Sequence, residues 1–185
     1  MVLTTMVILT EYRIECNDEE EKIFVIISLA VSYCPICGEP LGYRDTCIRY
    51  LLREGGERET YIIPRGKCGK CGTIYRMLPD IAAPYKQYAA EVISGVLDEV
   101  IQPEDEDSAD YPCEVTMQRW HHWLMANELR IDGYLKSTGH RILGFSEEFL
   151  MSDISLLRQL RNSCPAWMET ILRFIYNSGG FLVPA

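Results

Sequence analysis

Two cysteine pairs dominate the chemistry of this chain: Cys34-Pro35-Ile36-Cys37-Gly38 and Cys68-Gly69-Lys70-Cys71-Gly72. Two residues between cysteines let both thiolates grip one metal from a single tight turn. The glycine after each pair can take the positive φ that such a turn needs. Together the pairs supply four sulfurs, the closed tetrahedral shell of one structural zinc ion. Two other readings stand beside this one. Cys34-Pro-Ile-Cys37 resembles a redox dithiol, but that chemistry belongs at the start of a helix in a βαβ unit, and no such unit surrounds Cys34. The four could also be inert thiols. Cys16, Cys47, Cys113 and Cys164 stand alone in the sequence, and burial is the default for an isolated thiol.

The gap between the pairs exceeds usual zinc-finger spacing, so an intervening element must close it. Ile48, Tyr50 and Leu52 alternate, which is the strand period. Gly55-Gly56 suits a two-residue hairpin turn. Thr60-Tyr61-Ile62-Ile63 returns as a second strand. A hairpin brings its ends together and so returns the second pair to the first. Pro64 lacks an N–H and is expected at a strand end or on a sheet edge.

Upstream, residues 2–15 and 23–33 read as two strands around the acidic turn Asn17-Asp18-Glu19-Glu20-Glu21. Downstream the period changes to that of helices. Residues 84–101 carry an apolar face from Tyr85 through Tyr88, Val92, Val96 and Ile101, with Pro84 in the first turn and Pro103 as a stop. A second helix is expected over about 112–127, with Met117, Trp120, Trp123 and Leu124 inward. Residues 130–145 have no strong period. Two more helices are expected near 147–162, capped by Ser146, and near 164–176, with Trp167, Ile171, Phe174 and Ile175 on one face. The expected fold is α+β: N-terminal β-hairpins with a four-cysteine zinc ribbon (residues 1–80), then a helical half (residues 81–185).

Charge is unevenly spread. The chain has 185 residues and a net charge of −9, which argues against a simple nucleic-acid binder. Yet residues 34–76 hold eight basic and five acidic residues, while residues 77–118 hold one basic and ten acidic. The acidity concentrates in Glu104-Asp105-Glu106-Asp107-Ser108-Ala109-Asp110. The basic side chains Arg44, Arg49, Arg53, Arg58, Arg65, Lys67, Lys70 and Arg76 are interleaved with Tyr43, Tyr50, Tyr61 and Tyr75, a mixture suited to phosphates and stacked bases. The apolar run Ile23–Val31 is far shorter than a membrane span. Met1–Thr10 lacks a signal-peptide pattern, and reduced zinc thiolates suit the cytoplasm.

An ordered series of motifs carries a resemblance. It runs Cys34-Pro-x-Cys-Gly, Arg49-Tyr50-Leu51-Leu52-Arg53, Ile63-Pro64-Arg65-x-x-Cys68-x-x-Cys71-Gly72, Leu78-Pro79-Asp80, Pro84-Tyr85-Lys86-x-Tyr88 and Thr116-x-x-Arg119-Trp120-x-x-Trp123. The stretch resembles the N-terminal zinc-ribbon region of bacterial mobile-element proteins, including transposase heads and related short uncharacterised proteins. That resemblance implies a ribbon leading into a helix-turn-helix-like unit that contacts DNA, with Thr116, Gln118, Arg119 and His122 on the reading helix. Two departures stand out. The acidic run occupies the place of the short middle helix, and no transposase catalytic domain follows.

The expected function is therefore a non-enzymatic, zinc-stabilised DNA-binding protein of mobile-element origin. Its metal ligands are Cys34, Cys37, Cys68 and Cys71. Its nucleic-acid contacts are Arg44, Arg49, Arg53, Arg65, Lys67 and Lys70 on the ribbon, with Thr116, Gln118, Arg119 and His122 beyond it. The alternative is a protein–protein adaptor or inhibitor that uses the ribbon and the loop 104–110. A four-sulfur shell leaves zinc no open position for a water, and no nucleophile–base pair emerges, so an enzyme is not expected.

Overall fold

The computed structural model describes residues 5–103, 112–144 and 146–183. The acidic run Glu104–Asp110 lies outside the described residues. Among those described, six strands form one mixed sheet and five α-helices accompany it.

The longest pairing is the hairpin of β4 (Leu41–Leu52) and β5 (Arg58–Cys68), joined by a short 3-10 turn at Glu54–Gly56. β4 covers one edge of β5 from end to end. The other edge is shared. β3 (Ile23–Ser28) runs parallel to Thr60–Ile62, and β6 (Ile74–Leu78) runs antiparallel to Arg65–Lys67. Pro64 sits in mid-strand, where one partner hands over to the other, and this corrects the expectation of a strand end or edge. A residue without an N–H is tolerated there because neither partner ladder includes position 64 on that side.

The N-terminal segment also differs from the expected single strand. β1 (Met6–Ile8) is fully buried and pairs in parallel with β6. The chain then breaks and returns as β2 (Tyr12–Asp18), which forms the anticipated hairpin with β3. The sheet order is β1-β6-β5-β3-β2, with β4 on the far edge of β5.

Only the second half of the 84–101 segment is helical, as α1 (Ala90–Leu97). Residues 83–89 instead form a strap on the end of β4: a turn closed by Lys86 N–H donating to Ala83 C=O (3.2 Å), then a short extended stretch. Leu52 N–H donates to Gln87 C=O (2.8 Å) and Ala89 N–H to Leu52 C=O (2.9 Å). The Arg49 guanidinium ties the strap down by donating to the carbonyls of Ala83 (2.8 Å) and Lys86. Tyr85 has a φ of 63°, outside the helical region. Tyr88 stands edge-on to Trp120, with ring centroids 5.1 Å apart. Tyr88 thus packs against α2 while Tyr85 stays exposed, and backbone pairing to β4 outcompetes the helix.

α2 (Glu114–Leu143) is one helix of 30 residues, running through the stretch that lacked a clear period. Its C-terminal half carries few buried apolar residues, Ile131 chief among them. Polar anchors replace them. Asp132 accepts the Leu157 N–H (2.7 Å), and Lys136 donates to Ser152 C=O (2.6 Å). The segment expected as one helix at 147–162 divides into α3 (Glu147–Leu150) and α4 (Leu156–Ser163). Ser146 caps the first as anticipated, and Ser155 caps the second; each hydroxyl accepts a backbone N–H at 3.2 Å. α5 (Trp167–Asn177) buries Trp167, Ile171 and Ile175 and leaves Phe174 exposed.

The inward residues of sheet and helices form one continuous apolar cluster from Met6 to Leu182. Two asparagines clasp its margins by mimicking a peptide group. The Asn177 amide accepts from Ile8 N–H and donates to Ile8 C=O, both at 2.8 Å. Fully buried Asn127 accepts from Val183 N–H (2.8 Å) and donates to the carbonyls of Val183 (3.2 Å) and Trp123 (2.8 Å). No helix among the described residues is long and apolar enough to cross a membrane.

Asn127→Ala would strand the Val183 N–H and cut about 2–4 kcal/mol from the unfolding free energy. Urea denaturation reads the loss. Hydrogen exchange should quicken at Val183 and stay unchanged at Ile8, because the second clasp is separate.

Candidate metal centre

The hairpin delivers what the cysteine spacing requires. The Sγ atoms of Cys34, Cys37, Cys68 and Cys71 all lie within 4.8 Å of one another. Cys37 and Cys68 are 3.3 Å apart, and Cys34 and Cys71 are 3.7 Å apart. A tetrahedral zinc ion with Zn–S bonds near 2.3 Å needs an S···S edge of about 3.8 Å. The cluster therefore already has the dimensions of a four-sulfur metal shell.

The two half-sites are built alike. In the first, Gly38 N–H donates to Cys34 C=O (2.9 Å) and Cys34 N–H to Glu39 C=O (2.8 Å). In the second, Gly72 N–H donates to Cys68 C=O (3.0 Å) and Cys68 N–H to Thr73 C=O (2.9 Å). Gly38 and Gly72 have φ of 71° and 73°, a region that penalises a Cβ. Cys68 is the last residue of β5, so the second turn begins where the sheet ends. Tyr33 and Pro40 bridge the first turn at its base.

The surroundings separate the sulfurs electrostatically. Cys34 and Cys68 are buried, Cys37 is half-buried and Cys71 is exposed. Burial alone would push the Cys34 thiol up. The Tyr75 hydroxyl, 3.4 Å from its sulfur, and the N–H groups of Cys37 and Ile36 outweigh burial and bring it down to about 6. The Cys68 thiol facing Cys37 pushes that group up to about 12. The Thr73 hydroxyl, 3.3 Å from Cys71 Sγ, and the Thr73 backbone N–H bring Cys71 down. Four thiolates this close would repel one another, and a divalent cation at their centre would offset that repulsion.

Tyr75 is the site residue that sequence reasoning misplaced. Its place among the tyrosines interleaved with cations suggests a surface aromatic, but it is 0% exposed, with its hydroxyl 3.4 Å from the Cys34 sulfur. Its signal was position: as the middle residue of Ile74-Tyr75-Arg76, it points to the opposite face from the arginine. Tyr61 is also buried and donates to Glu59 (2.6 Å), and the ring of Tyr50 lies 4.0 Å below the Arg58 guanidinium. Tyr43, 74% exposed, is the free ring of the four. The isolated cysteines depart from expectation too, since Cys16 and Cys113 are exposed and Cys47 and Cys164 half-buried.

The cations expected to meet nucleic acid divide into two groups. Arg49 holds the strap. Arg53 pairs with Glu91 (3.2 Å) and Glu59 (3.5 Å). Arg65 donates through Nε and Nη2 to both carboxylate oxygens of Asp45, each at 2.5 Å. These three guanidiniums serve the fold. Arg44 is exposed and lies 3.6 Å from Asp45. Lys67, Lys70 and Arg76 are exposed and have no ion pair among the described residues. On α2, Thr116 is half-buried with its hydroxyl 3.4 Å from Cys113 Sγ, and Gln118 donates to Glu114 (2.8 Å). Arg119 and His122 are exposed.

A family described as "Domain of unknown function (DUF6431)" matches residues 34–120, from the first cluster cysteine into α2. No curated protein matches the chain. No solved structure matches it either.

Tyr75→Phe removes the hydroxyl donor to Cys34 while keeping the ring. Metal affinity should fall by about 10-fold, the lower range for an outer-shell partner, in competition against a chromophoric chelator. Cys71→Ser should abolish tight loading and release the Cys68–Thr73 turn, seen as lost amide protection there. Structural zinc contributes roughly 10–16 kcal/mol in small domains, so chelation should have the same effect.

Proposed function

We propose that this chain is a non-enzymatic DNA-binding protein, related to mobile-element zinc-ribbon proteins, in which one structural zinc ion fixes the surface that meets the phosphate backbone. The observation that carries this reading is the group of exposed, unpaired cations beside the second cysteine turn: Lys67, Lys70 and Arg76. Arg44 stands at the β4 irregularity beside Asp45, the partner of Arg65 on that face, whereas Tyr43 pairs with Gly66, as Tyr75 does, and so lies on the opposite face. Exposed cations without ion pairs among the described residues supply phosphate attraction. A closed four-sulfur shell gives zinc a structural role, since no ligand position is left for a reacting water. The motif series from Cys34 to Trp123 supports the mobile-element origin. Arg119 and His122 on α2 would extend the contact, as that resemblance implies.

The internal bonds of Arg49, Arg53 and Arg65 narrow the interface. These residues would support the surface, and Arg44, Lys67, Lys70 and Arg76 would touch the ligand.

A second reading rests on a different observation. Leu29, Val31, Tyr33, Ile36 and Tyr43 are all exposed apolar side chains on or near the first cysteine turn. Such a patch suits a protein partner, and the ribbon would then be an adaptor.

Titration of zinc-loaded protein into labelled duplex and single-stranded DNA at several salt concentrations separates the two. Affinity that falls log-linearly with salt supports phosphate contact. Lys67→Ala should weaken binding to all sequences alike and lower the salt slope by about one. Arg65→Ala should act mainly on stability. Serines in place of Glu104–Asp107 should strengthen DNA binding, or abolish partner capture if the adaptor reading holds. Folded, metal-loaded protein that binds neither DNA at low salt ends the first reading.

A further inference from the structure

A cavity of about 660 Å³ lies away from the metal, between the C-terminal turns of α2, the outer side of α5 and the β1–β2 connection. Its volume falls within the range of small-molecule sites. Its charge is one-sided. Arg141 and Arg173 both line it, and no carboxylate among the described residues does. Arg141 has no ion pair among the described residues; its Nε reaches only Ser137 C=O at 3.4 Å. Arg173 is 3.7 Å from Asp80, whose other oxygen accepts the Tyr12 hydroxyl at 2.6 Å. The negative end of the α2 dipole lies on this side, so any attraction for an anion comes from the two guanidiniums.

A second observation is independent of charge. Thr138 lines the cavity and is 8% exposed, yet its hydroxyl has no hydrogen bond among the described residues. A helical threonine commonly bonds back to the carbonyl one turn earlier. Thr170, across the cavity, does so, donating to Ala166 C=O at 2.9 Å. Thr138, a residue otherwise buried, therefore keeps an unpartnered hydroxyl that is free to bond a guest. Phe174 completes the wall. It was expected on the packed face of α5 but is 43% exposed and lines the cavity. An aromatic ring beside guanidinium planes favours a flat, aromatic guest.

We infer that this cavity is a binding site for a small aromatic anion, its charged head held by Arg141, Arg173 and Thr138 and its ring against Phe174. The test uses metal-loaded full-length chain and two fluorescent probes that share an aromatic body: anilinonaphthalene sulfonate, which is charged, and phenylnaphthylamine, which is not. The sulfonate should bind saturably at one site per chain and more tightly than the amine. Arg141→Gln should weaken the sulfonate by about 10-fold, the size of one charge-assisted hydrogen bond, and leave the amine unchanged. Thr138→Val should weaken it in the same sense. Equal affinity for the two probes overturns the inference, as does wild-type sulfonate affinity in both variants. If a variant fails to fold, hydrogen exchange of the wild-type chain decides. Sulfonate should protect residues 137–141 and 173–178, and protection confined to other segments overturns the assignment.

Discussion

Strand β5 is the constraint on which the rest of the structure depends. Its eleven residues carry β4 along one edge and two different partners, β3 and β6, along the other. Those three partners come from before and after it in sequence. Its last residue is Cys68, so sheet geometry and the geometry of the four-cysteine cluster meet at one position. Loss of β5 pairing would separate the half-sites, and loss of the half-sites would free the end of β5. The cluster is therefore a joint in the sheet's framework as well as a chemical feature.

This dependence explains which parts of the fold were legible. Cysteine spacing and strand alternation are local, and together they anticipate the β4–β5 hairpin and the clustering of the four sulfurs. Ser146 was legible as a cap because capping chemistry involves only neighbouring residues. The failures involve partners distant in sequence. Residues 83–89 have helical spacing, but β4 offers the strap's backbone groups a ladder and Arg49 holds its carbonyls. The second half of α2 has weak periodicity because Asp132 and Lys136 hold its neighbours by polar bonds that hydropathy does not register. Pro64 reads as an edge residue until β3 and β6 are known to share one side of β5.

The same distinction governs the basic residues. Eight cations crowd residues 34–76, and composition alone cannot rank them. Three guanidiniums are occupied by carbonyls or carboxylates, and one lies over a tyrosine ring. Arginine's planar, multi-donor head makes it the residue of choice for such internal work, whereas lysine is a simple hydrated charge. It is consistent that both lysines of the ribbon, Lys67 and Lys70, are among the cations without internal partners. Tyr75 makes the complementary point: a ring whose spacing suggests surface stacking is buried, with its hydroxyl against the Cys34 sulfur.

The clasp between Ile8 and Asn177 joins residues 169 positions apart. Translation at 5–20 residues per second separates the emergence of these two residues by roughly 10–30 s. During that interval β1 has no amide clasp on its outer edge. The cysteine hairpin, complete by Cys71, can form and capture metal long before the clasp closes. Vectorial synthesis would thus build the cysteine hairpin first and leave β1, the earliest of the described strands, to be locked among the last.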